Sequence, residues 1–204
     1  MPADEIRFVE ETHQYYVNGV EYPSVSTVLA PFMDFSRIPR DVLERKRQIG
    51  RATHKAIELD EAGELDLDTV DPQVEPYFHS WLLFKAVKPL RVFAAERIVY
   101  SKKHRYAGRL DLVVEFLDDP GVLWVLDAKA VHTISPATAL QVAAYREAWN
   151  ENEPVKINKR AGLQLKKDGS MAEIFPYDRI RNKHDLNVFL NALNIQNWKV
   201  NNGC

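Results

Sequence analysis

Two charged residues, Asp127 and Lys129, lie inside an otherwise apolar run that extends from Val122 to Val131. A run of this kind is typical of a strand that is buried on both faces. Because side chains two positions apart in a strand point to the same face, the aspartate and the lysine would project together. A buried charge is costly unless it is paired or binds a metal. The pattern therefore indicates either a structural ion pair or a metal-binding aspartate beside a lysine that stabilises developing negative charge.

A second carboxylate, Asp111, lies in the preceding strand-like segment, residues 106–117. The turn composition of residues 118–121 predicts that the two strands form an antiparallel hairpin, which would bring Asp111 close to Asp127. Neighbouring carboxylates repel unless a positive group lies between them. A hard divalent cation, Mg²⁺ or Mn²⁺, suits such oxygen ligands, and Glu96 on the strand before could add a third. These residue types are suited to metal-assisted phosphodiester hydrolysis, with the lysine sharing the developing charge.

The first long helical segment, residues 41–61, also contains residue types that can do chemistry. His54 and Glu58 are four residues apart and share one face, and Gly63 closes the helix. A helix histidine of this kind is ordinarily half-buried or solvated, and a charge stripe is usually a solvated face. A basic stripe with a spacing of four residues runs along the same helix and comprises Arg47, Arg51 and Lys55.

These residues need a scaffold of strands and helices in a definite order. We predict a hairpin over residues 6–20 with an Asn18-Gly19 turn, a short helix capped by Ser24 or Ser26, and helices over 41–61 and 71–87. The chain then continues with two strands over 91–100 and 106–117 and the Asp127 strand. After these we predict a helix from Ser135 to about 150, a hairpin over 155–177 and a helix over 182–198. The last helix would face inward through Leu186, Phe189, Leu190, Leu193 and Trp198. This order indicates an α/β or α+β fold with a central mixed sheet flanked by helices.

Composition limits the remaining possibilities. The 204 residues suit a single domain over 1–204, with an N-terminal hairpin and helical part over about 1–90 and a catalytic core over about 91–200. With a net charge of −2, nucleic acid must be bound through a local patch or through metal. Cys204 is the only cysteine, which excludes internal disulfides, cysteine zinc sites and a four-cysteine iron–sulfur cluster. We see no signal peptide or membrane span and expect a cytoplasmic protein.

Five elements follow one another along the chain: Gly50-Arg51-Ala52-Thr53-His54, Glu96, Gly108-Arg109-Leu110-Asp111, Asp127-Ala128-Lys129 and Gln141-Val142-Ala143-Ala144-Tyr145. In this order they resemble the RecB-type branch of the PD-(D/E)XK nuclease superfamily, which has a restriction-endonuclease-like core. The Asn-Gly turn followed by P-S-V-S-T-V-L also resembles the N-terminal part of mitochondrial genome-maintenance exonucleases and their phage relatives. An Asp-x-Lys motif alone occurs by chance in many chains, whereas five elements in the expected order are specific.

The resemblance implies a metal centre. Asp111, Asp127 and the backbone carbonyl of Ala128 would be ligands of Mg²⁺ or Mn²⁺. His54 would be a further ligand or would stabilise a metal-bound water, and Glu96 would assist at the edge of the metal site. The family's proline before the first aspartate is replaced by leucine, and the four-cysteine cluster of some relatives is missing, so no iron–sulfur cluster is expected.

The resemblance also implies roles for the residues around that centre. Lys129 would position and polarise the attacking water, while Gln141 and Tyr145 would orient the active site or contact the DNA backbone. The basic helix stripe and the basic segment before the Asp111 strand would contact phosphates. These predicted phosphate contacts are Arg47, Arg51, Lys55, Lys102, Lys103 and Arg105.

The resulting hypothesis is a Mg²⁺- or Mn²⁺-dependent DNA exonuclease of phage-type recombination or DNA end processing, in a bacterial or phage-infected cell. DNA is the expected partner, and a single-strand annealing protein is a candidate second partner. Two alternatives stay open: a single-strand or structure-selective endonuclease on the same fold, and a catalytically inactive DNA- or protein-binding module. The complete set of Asp111, Asp127 and Lys129 argues against the inactive module. The sequence leaves polarity, strand preference and oligomeric state open.

Overall fold

The structure is a computed structural model that describes residues 4–203. A three-stranded antiparallel sheet comes first and is followed by a larger sheet with helices around it. The strands are β1 (Ile6–Val9), β2 (Gln14–Val17), β3 (Val20–Tyr22), β4 (Leu90–Ser101), β5 (Tyr106–Phe116), β6 (Leu123–Lys129), β7 (Ile157–Gln164) and β8 (Glu173–Pro176). The helices are α1 (Val25–Leu29), α2 (Arg40–Ala62), α3 (Glu75–Val87), α4 (Ala137–Asn152) and α5 (Asn182–Asn202).

The larger sheet has five strands in the order β4-β5-β6-β7-β8. All neighbours are antiparallel except β6 and β7, which are parallel and are connected through α4. A parallel pair needs such a crossover connection, and α4 supplies it. The structure is therefore a mixed sheet flanked by helices, which confirms the predicted fold class.

Both faces of the sheet are covered, which explains the apolar character of β6. Leu123 and Val125 pack with α1, α4 and α5 on one face, while Leu126 and Ala128 pack with α2 and α3 on the other. Asp127 and Lys129 alternate with Leu126 and Ala128 and so belong to the α4 side. The predicted burial of β6 on both faces is confirmed.

Local sequence signals fix several element ends. The Ser24 hydroxyl accepts a hydrogen bond from the Thr27 N–H over 3.0 Å and caps α1, as predicted. Gly63 ends α2 with a φ of +71°, and Gly169 turns the β7–β8 hairpin with a φ of +74°. A left-handed backbone at these two positions costs glycine nothing.

Three sequence predictions need correction. The Asn18-Gly19 turn joins β2 to β3, so the N-terminal hairpin is a three-stranded sheet. The helix predicted from 71 begins at Glu75, because Asp71 starts a hydrogen-bonded turn and Pro76 is tolerated only in the first helical turn. Trp198 is 60% exposed, because α5 has no buried residue after Leu193.

Within residues 4–203, no helix combines the length and the apolar character that crossing a bilayer requires. Cys204 lies outside the described residues. The division into an N-terminal part and a catalytic core stays a prediction.

Candidate metal centre

The centre lies between α2 and the middle of the large sheet. His54, Glu96 and Asp111 each offer one ligand atom, and these three atoms all lie within 4.8 Å of one another. A nitrogen and two carboxylate oxygens at this spacing can hold a divalent cation. Sequence reasoning placed all three at the site, although it treated Glu96 as peripheral. The structure puts Glu96 in the three-residue cluster and leaves Asp127 outside it.

Glu96 has an unusual backbone for a strand residue. Its φ is +48°, in the left-handed region, and it falls between the ladder pairs Ala95↔Leu112 and Arg97↔Leu110, across from Asp111. A left-handed conformation costs a non-glycine residue roughly 1–2 kcal/mol. Such strain is often found at functional sites. No sequence pattern indicated this feature, because a glutamate gives no signal of a positive φ.

His54 connects α2 to the sheet through both ring nitrogens. Its Nε2 lies 2.8 Å from the carbonyl oxygen of Ala128, and its Nδ1 lies 3.1 Å from Oε1 of Glu96 and 3.6 Å from Oδ1 of Asp111. A carbonyl only accepts, so Nε2 is the donor there, and ionised carboxylates require Nδ1–H as well. The ring is therefore an imidazolium whose charge lies among the oxygens predicted to bind metal. The Ala128 carbonyl, a predicted ligand, accepts from His54.

The electrostatics support the protonated ring. Burial alone would lower the pKa of His54, but the Asp111 and Glu96 carboxylates raise this pKa to about 9. Burial also raises the pKa of the Asp111 carboxyl, although the His54 and Lys129 cations oppose that effect. Asp111 in addition accepts a hydrogen bond from the Ala128 N–H over 2.7 Å, which fixes its position against β6.

Asp127 and Lys129 form an ion pair on β6. Nζ of Lys129 lies 2.8 Å from Oδ2 of Asp127, whose side chain is fully buried. The structural ion pair, one of the two interpretations that the sequence left open, is thus present in the structure. Apart from this ionic contact, neither carboxylate oxygen of Asp127 has a hydrogen-bond donor among the described residues. Burial raises the pKa of Asp127 to about 6, against the effect of the lysine.

Lys129 keeps its charge beside these acids. Burial would lower the pKa of its ammonium, but Asp127 and then Asp111 outweigh that effect and raise the pKa above its ordinary value. The side chain is 26% exposed. The ammonium therefore has access to solvent and, in principle, to a substrate.

Gln141 and Tyr145 lie one turn apart on α4 and are buried. The Gln141 amide donates to the Tyr145 hydroxyl over 3.1 Å. Burial, and then the charges of Asp111 and Asp127, raise the pKa of Tyr145 well above its ordinary value. Since both side chains are covered, the predicted role in orienting the site fits the structure, whereas direct contact with a DNA backbone does not.

A narrow cleft with about 10 Å³ of free volume reaches the cluster. This volume is of the order of one water molecule. Glu58 lines the cleft beside His54 and forms an ion pair with Lys55 over 2.8 Å. The sequence indicated only that Glu58 shares a helix face with His54, and it did not predict that Glu58 lines the cleft.

The predicted phosphate-binding residues divide into two groups. The first group lies on α2, the helix that carries His54, and its side chains are exposed. Carboxylates partly neutralise this group, because Glu44 pairs with Arg51 over 3.0 Å and approaches Arg47 to 3.9 Å. The other group occupies the β4–β5 turn, five ladder positions from Asp111 and about 17 Å away at 3.4 Å per residue. The structure therefore does not bring Lys102, Lys103 and Arg105 to the cleft.

The fold is shared with a protein of known structure. No protein-family model matches the chain, and no curated protein matches it. The crystal structure of a "Putative exonuclease" from Eubacterium rectale is similar, with 15% sequence identity and a TM-score of 0.50, covering 89% of this chain and 82% of the other. The likeness shows a shared fold. At this identity it does not extend to activity or substrate.

Proposed function

We propose that this protein is a metal-dependent DNA nuclease of the RecB-type PD-(D/E)XK branch that hydrolyses phosphodiester bonds, with exonuclease action favoured. The observation that carries the proposal is the convergence of His54, Glu96 and Asp111 in one cleft, beside the buried pair of Asp127 and Lys129. The order of the five sequence elements, which fall on α2, β4, β5, β6 and α4, also supports the proposal. The likeness in fold to a protein named as an exonuclease supports the same class.

The residues present fit a divalent cation. Asp127 has two buried carboxylate oxygens next to Asp111 on the neighbouring strand, and their one ionic contact among the described residues is the Lys129 ammonium at 2.8 Å from Oδ2. Such oxygens are stabilised by a cation. His54, Glu96 and Asp111 would hold Mg²⁺ or Mn²⁺, with Asp127 as an additional ligand. When bound, the ion would supply Lewis acidity and lower the pKa of a water molecule.

The protein's own groups account for the rest of the chemistry. The Lys129 ammonium lies where it can stabilise negative charge that develops on a phosphate or a hydroxide. Asp127 holds this ammonium in place by the 2.8 Å ion pair. Tyr145 accepts the 3.1 Å hydrogen bond from Gln141, and we assign this buried pair a role in orienting the site. His54 accepts or releases a proton as the charge at the centre changes.

DNA digestion tests the proposal. End-labelled linear DNA and covalently closed circular DNA would be incubated with Mg²⁺, Mn²⁺ or EDTA. We expect nucleotide release from linear DNA only, and none in EDTA. Cutting of the circle would indicate the endonuclease alternative, and binding without cleavage would indicate the inactive module. Glu96→Gln is the matched variant, because it keeps the side-chain shape but removes one carboxylate from the cluster.

A further inference from the structure

A second and larger cavity opens where β6 and β7 begin. It has a volume of about 330 Å³, and none of its ten lining residues is acidic. It shares no residue with the cleft at the metal centre. Trp124 in its wall pairs with Lys159 three ladder positions before the pair Asp127↔Gly162. At 3.3 Å per residue, roughly 10 Å of strand separates it from Asp127.

Four positive side chains line this cavity. Lys159 pairs with Asp119 over 2.7 Å, and the buried Arg160 pairs with Asp185 over 2.5 Å. Arg146 and Arg179 have no carboxylate of residues 4–203 within 4.0 Å and so form no ion pair there. The cations are Arg146, Lys159, Arg160 and Arg179.

The two unpaired arginines lie close enough to repel. Burial, and then the charge of Arg160, lower the pKa of the Arg146 guanidinium; Glu147 opposes this effect, and Arg179 adds to it. Its Nε donates to the Ile157 carbonyl over 2.9 Å, which holds the side chain in the wall. Like charges held together in this way are stabilised by an anion between them.

The remaining wall includes two aromatic rings, those of Trp124 and Tyr177, and several polar atoms at this cavity have no partner in the described part of the chain. Within residues 4–203, nine buried side-chain nitrogen or oxygen atoms have no hydrogen-bond partner, and four of them belong to residues of this cavity. Such atoms normally meet water or a ligand. The four atoms are Nε1 of Trp124, Nε of Arg160, the Tyr177 hydroxyl and Oδ1 of Asn182.

We infer that this cavity binds a small phosphorylated ligand of mononucleotide size. Guanidinium groups recognise phosphate through paired, charge-assisted hydrogen bonds, and Arg146 and Arg179 are the unpaired candidates. Trp124 and Tyr177 provide an apolar surface for a base. The volume lies at the lower end of the range of about 300–1,000 Å³ for small-molecule pockets. The inference is independent of the proposed nuclease activity.

Calorimetric titration in EDTA tests the inference. The probes are deoxyadenosine 5′-monophosphate, deoxyadenosine and inorganic phosphate. We expect the monophosphate to bind, phosphate to bind more weakly and deoxyadenosine not to bind. Arg179→Gln and Arg146→Gln should each weaken monophosphate binding at least about tenfold, as loss of a charged hydrogen bond implies. Lys199→Gln, on the exposed last turn of α5, and Glu96→Gln, at the metal cleft, should leave binding unchanged.

Several results would overturn the inference. The inference fails if no probe binds, or if deoxyadenosine binds as tightly as its monophosphate. It also fails if Glu96→Gln loses binding while Arg179→Gln keeps it. Binding of polynucleotide DNA alone would also overturn it. Circular dichroism would establish that each variant is folded. Because the titration uses no divalent metal, its outcome is separable from success or failure of the nuclease assay.

Discussion

Glu96 faces Asp111 across the β4–β5 ladder with a left-handed backbone, at a φ of +48°. The chain thus accepts backbone strain at the point where it presents a carboxylate to the cluster. Replacement by glycine should relieve this strain, whereas replacement by alanine should not. We expect the Glu96→Gly variant to be more stable than the Glu96→Ala variant, with a free energy of unfolding that is higher by about 1 kcal/mol. Urea denaturation in EDTA measures the difference.

The neighbouring Ala95 has no positive φ and serves as the control. Ala95→Gly should lower the free energy of unfolding by about 0.5–1 kcal/mol. Both Glu96 variants should lose divalent-metal affinity, because both remove the carboxylate. Equal stability of the two Glu96 variants would show that the left-handed backbone is not strained.

Lys129→Ala should abolish cleavage and also lower stability, because it leaves the carboxylate of Asp127 buried and unpaired. Removal of one partner of a buried pair costs about 3–5 kcal/mol. The double variant Asp127→Asn/Lys129→Met removes both charges and should recover most of that stability without recovering activity. Thermal unfolding and DNA digestion measure the two properties. An active Lys129→Ala variant would contradict the proposed charge-stabilising role.

The stability of the metal-free protein should depend on pH through His54. Its pKa is about 9 in the folded protein against an ordinary value of 6.5. The folded state therefore holds the proton more tightly, so this stabilisation is complete below about pH 6.5 and is lost as the pH rises through 9. Urea denaturation in EDTA at pH 6, 7.5 and 9 should show the decline. His54→Gln should flatten it, and an unchanged slope would exclude the imidazolium.

Metal binding should release a proton. The ring nitrogen of His54 must lose its proton before it can act as a ligand. We expect Mn²⁺ binding at pH 7.5 to release about one proton, measured by calorimetry in two buffers with different ionisation enthalpies. Mn²⁺ should bind more tightly than Mg²⁺, because one ligand is nitrogen. Metal binding without proton release would remove His54 from the ligand set.

Gly108 and Gly50 should respond in opposite ways to alanine. A Cβ at Gly108 would lie 2.8 Å from Cε1 of Tyr145, whereas a Cβ at Gly50 would meet no atom within 4 Å. Gly108→Ala should cost about 1–3 kcal/mol of stability and reduce activity by moving Tyr145. Gly50→Ala, inside α2, should add about 0.5–1 kcal/mol. Loss of activity in a stabilised Gly50→Ala would indicate that substrate approaches α2 closely at this residue.

The α2 stripe should determine the salt dependence of DNA binding. Arg51→Gln and Lys55→Gln should each reduce the slope of log affinity against log salt by about 0.9 for duplex DNA. Glu44→Gln should strengthen binding, because it frees Arg51 from its 3.0 Å ion pair. Fluorescence anisotropy across a salt series measures both effects. Lys199→Gln is the control, and an equal change in that variant would exclude a specific stripe.

Sequence reasoning succeeded where the residues in contact lie on neighbouring segments of the chain. The antiparallel pairing of β5 and β6 placed Asp111 beside Asp127, and the predicted burial of β6 was correct. Sequence reasoning failed where the position of a residue depends on contacts with residues far away in the sequence. The His54 bond to Ala128 joins residues 74 positions apart, and the left-handed Glu96 depends on the shape of a neighbouring ladder. The basic β4–β5 turn lies about 17 Å along β5 from Asp111, a separation that the sequence did not indicate.

The way α2 is attached has a consequence for local unfolding. Of its 23 residues, only Thr53, Ala56 and Ile57 are buried. Segments held by few apolar contacts open at a lower free energy than the core does. A transient detachment of α2 would remove His54 from the cluster while the five-stranded sheet stays intact. Amide hydrogens of α2 should therefore exchange faster than those of β5 and β6, and a bound metal ion would slow them by tying the helix to the sheet.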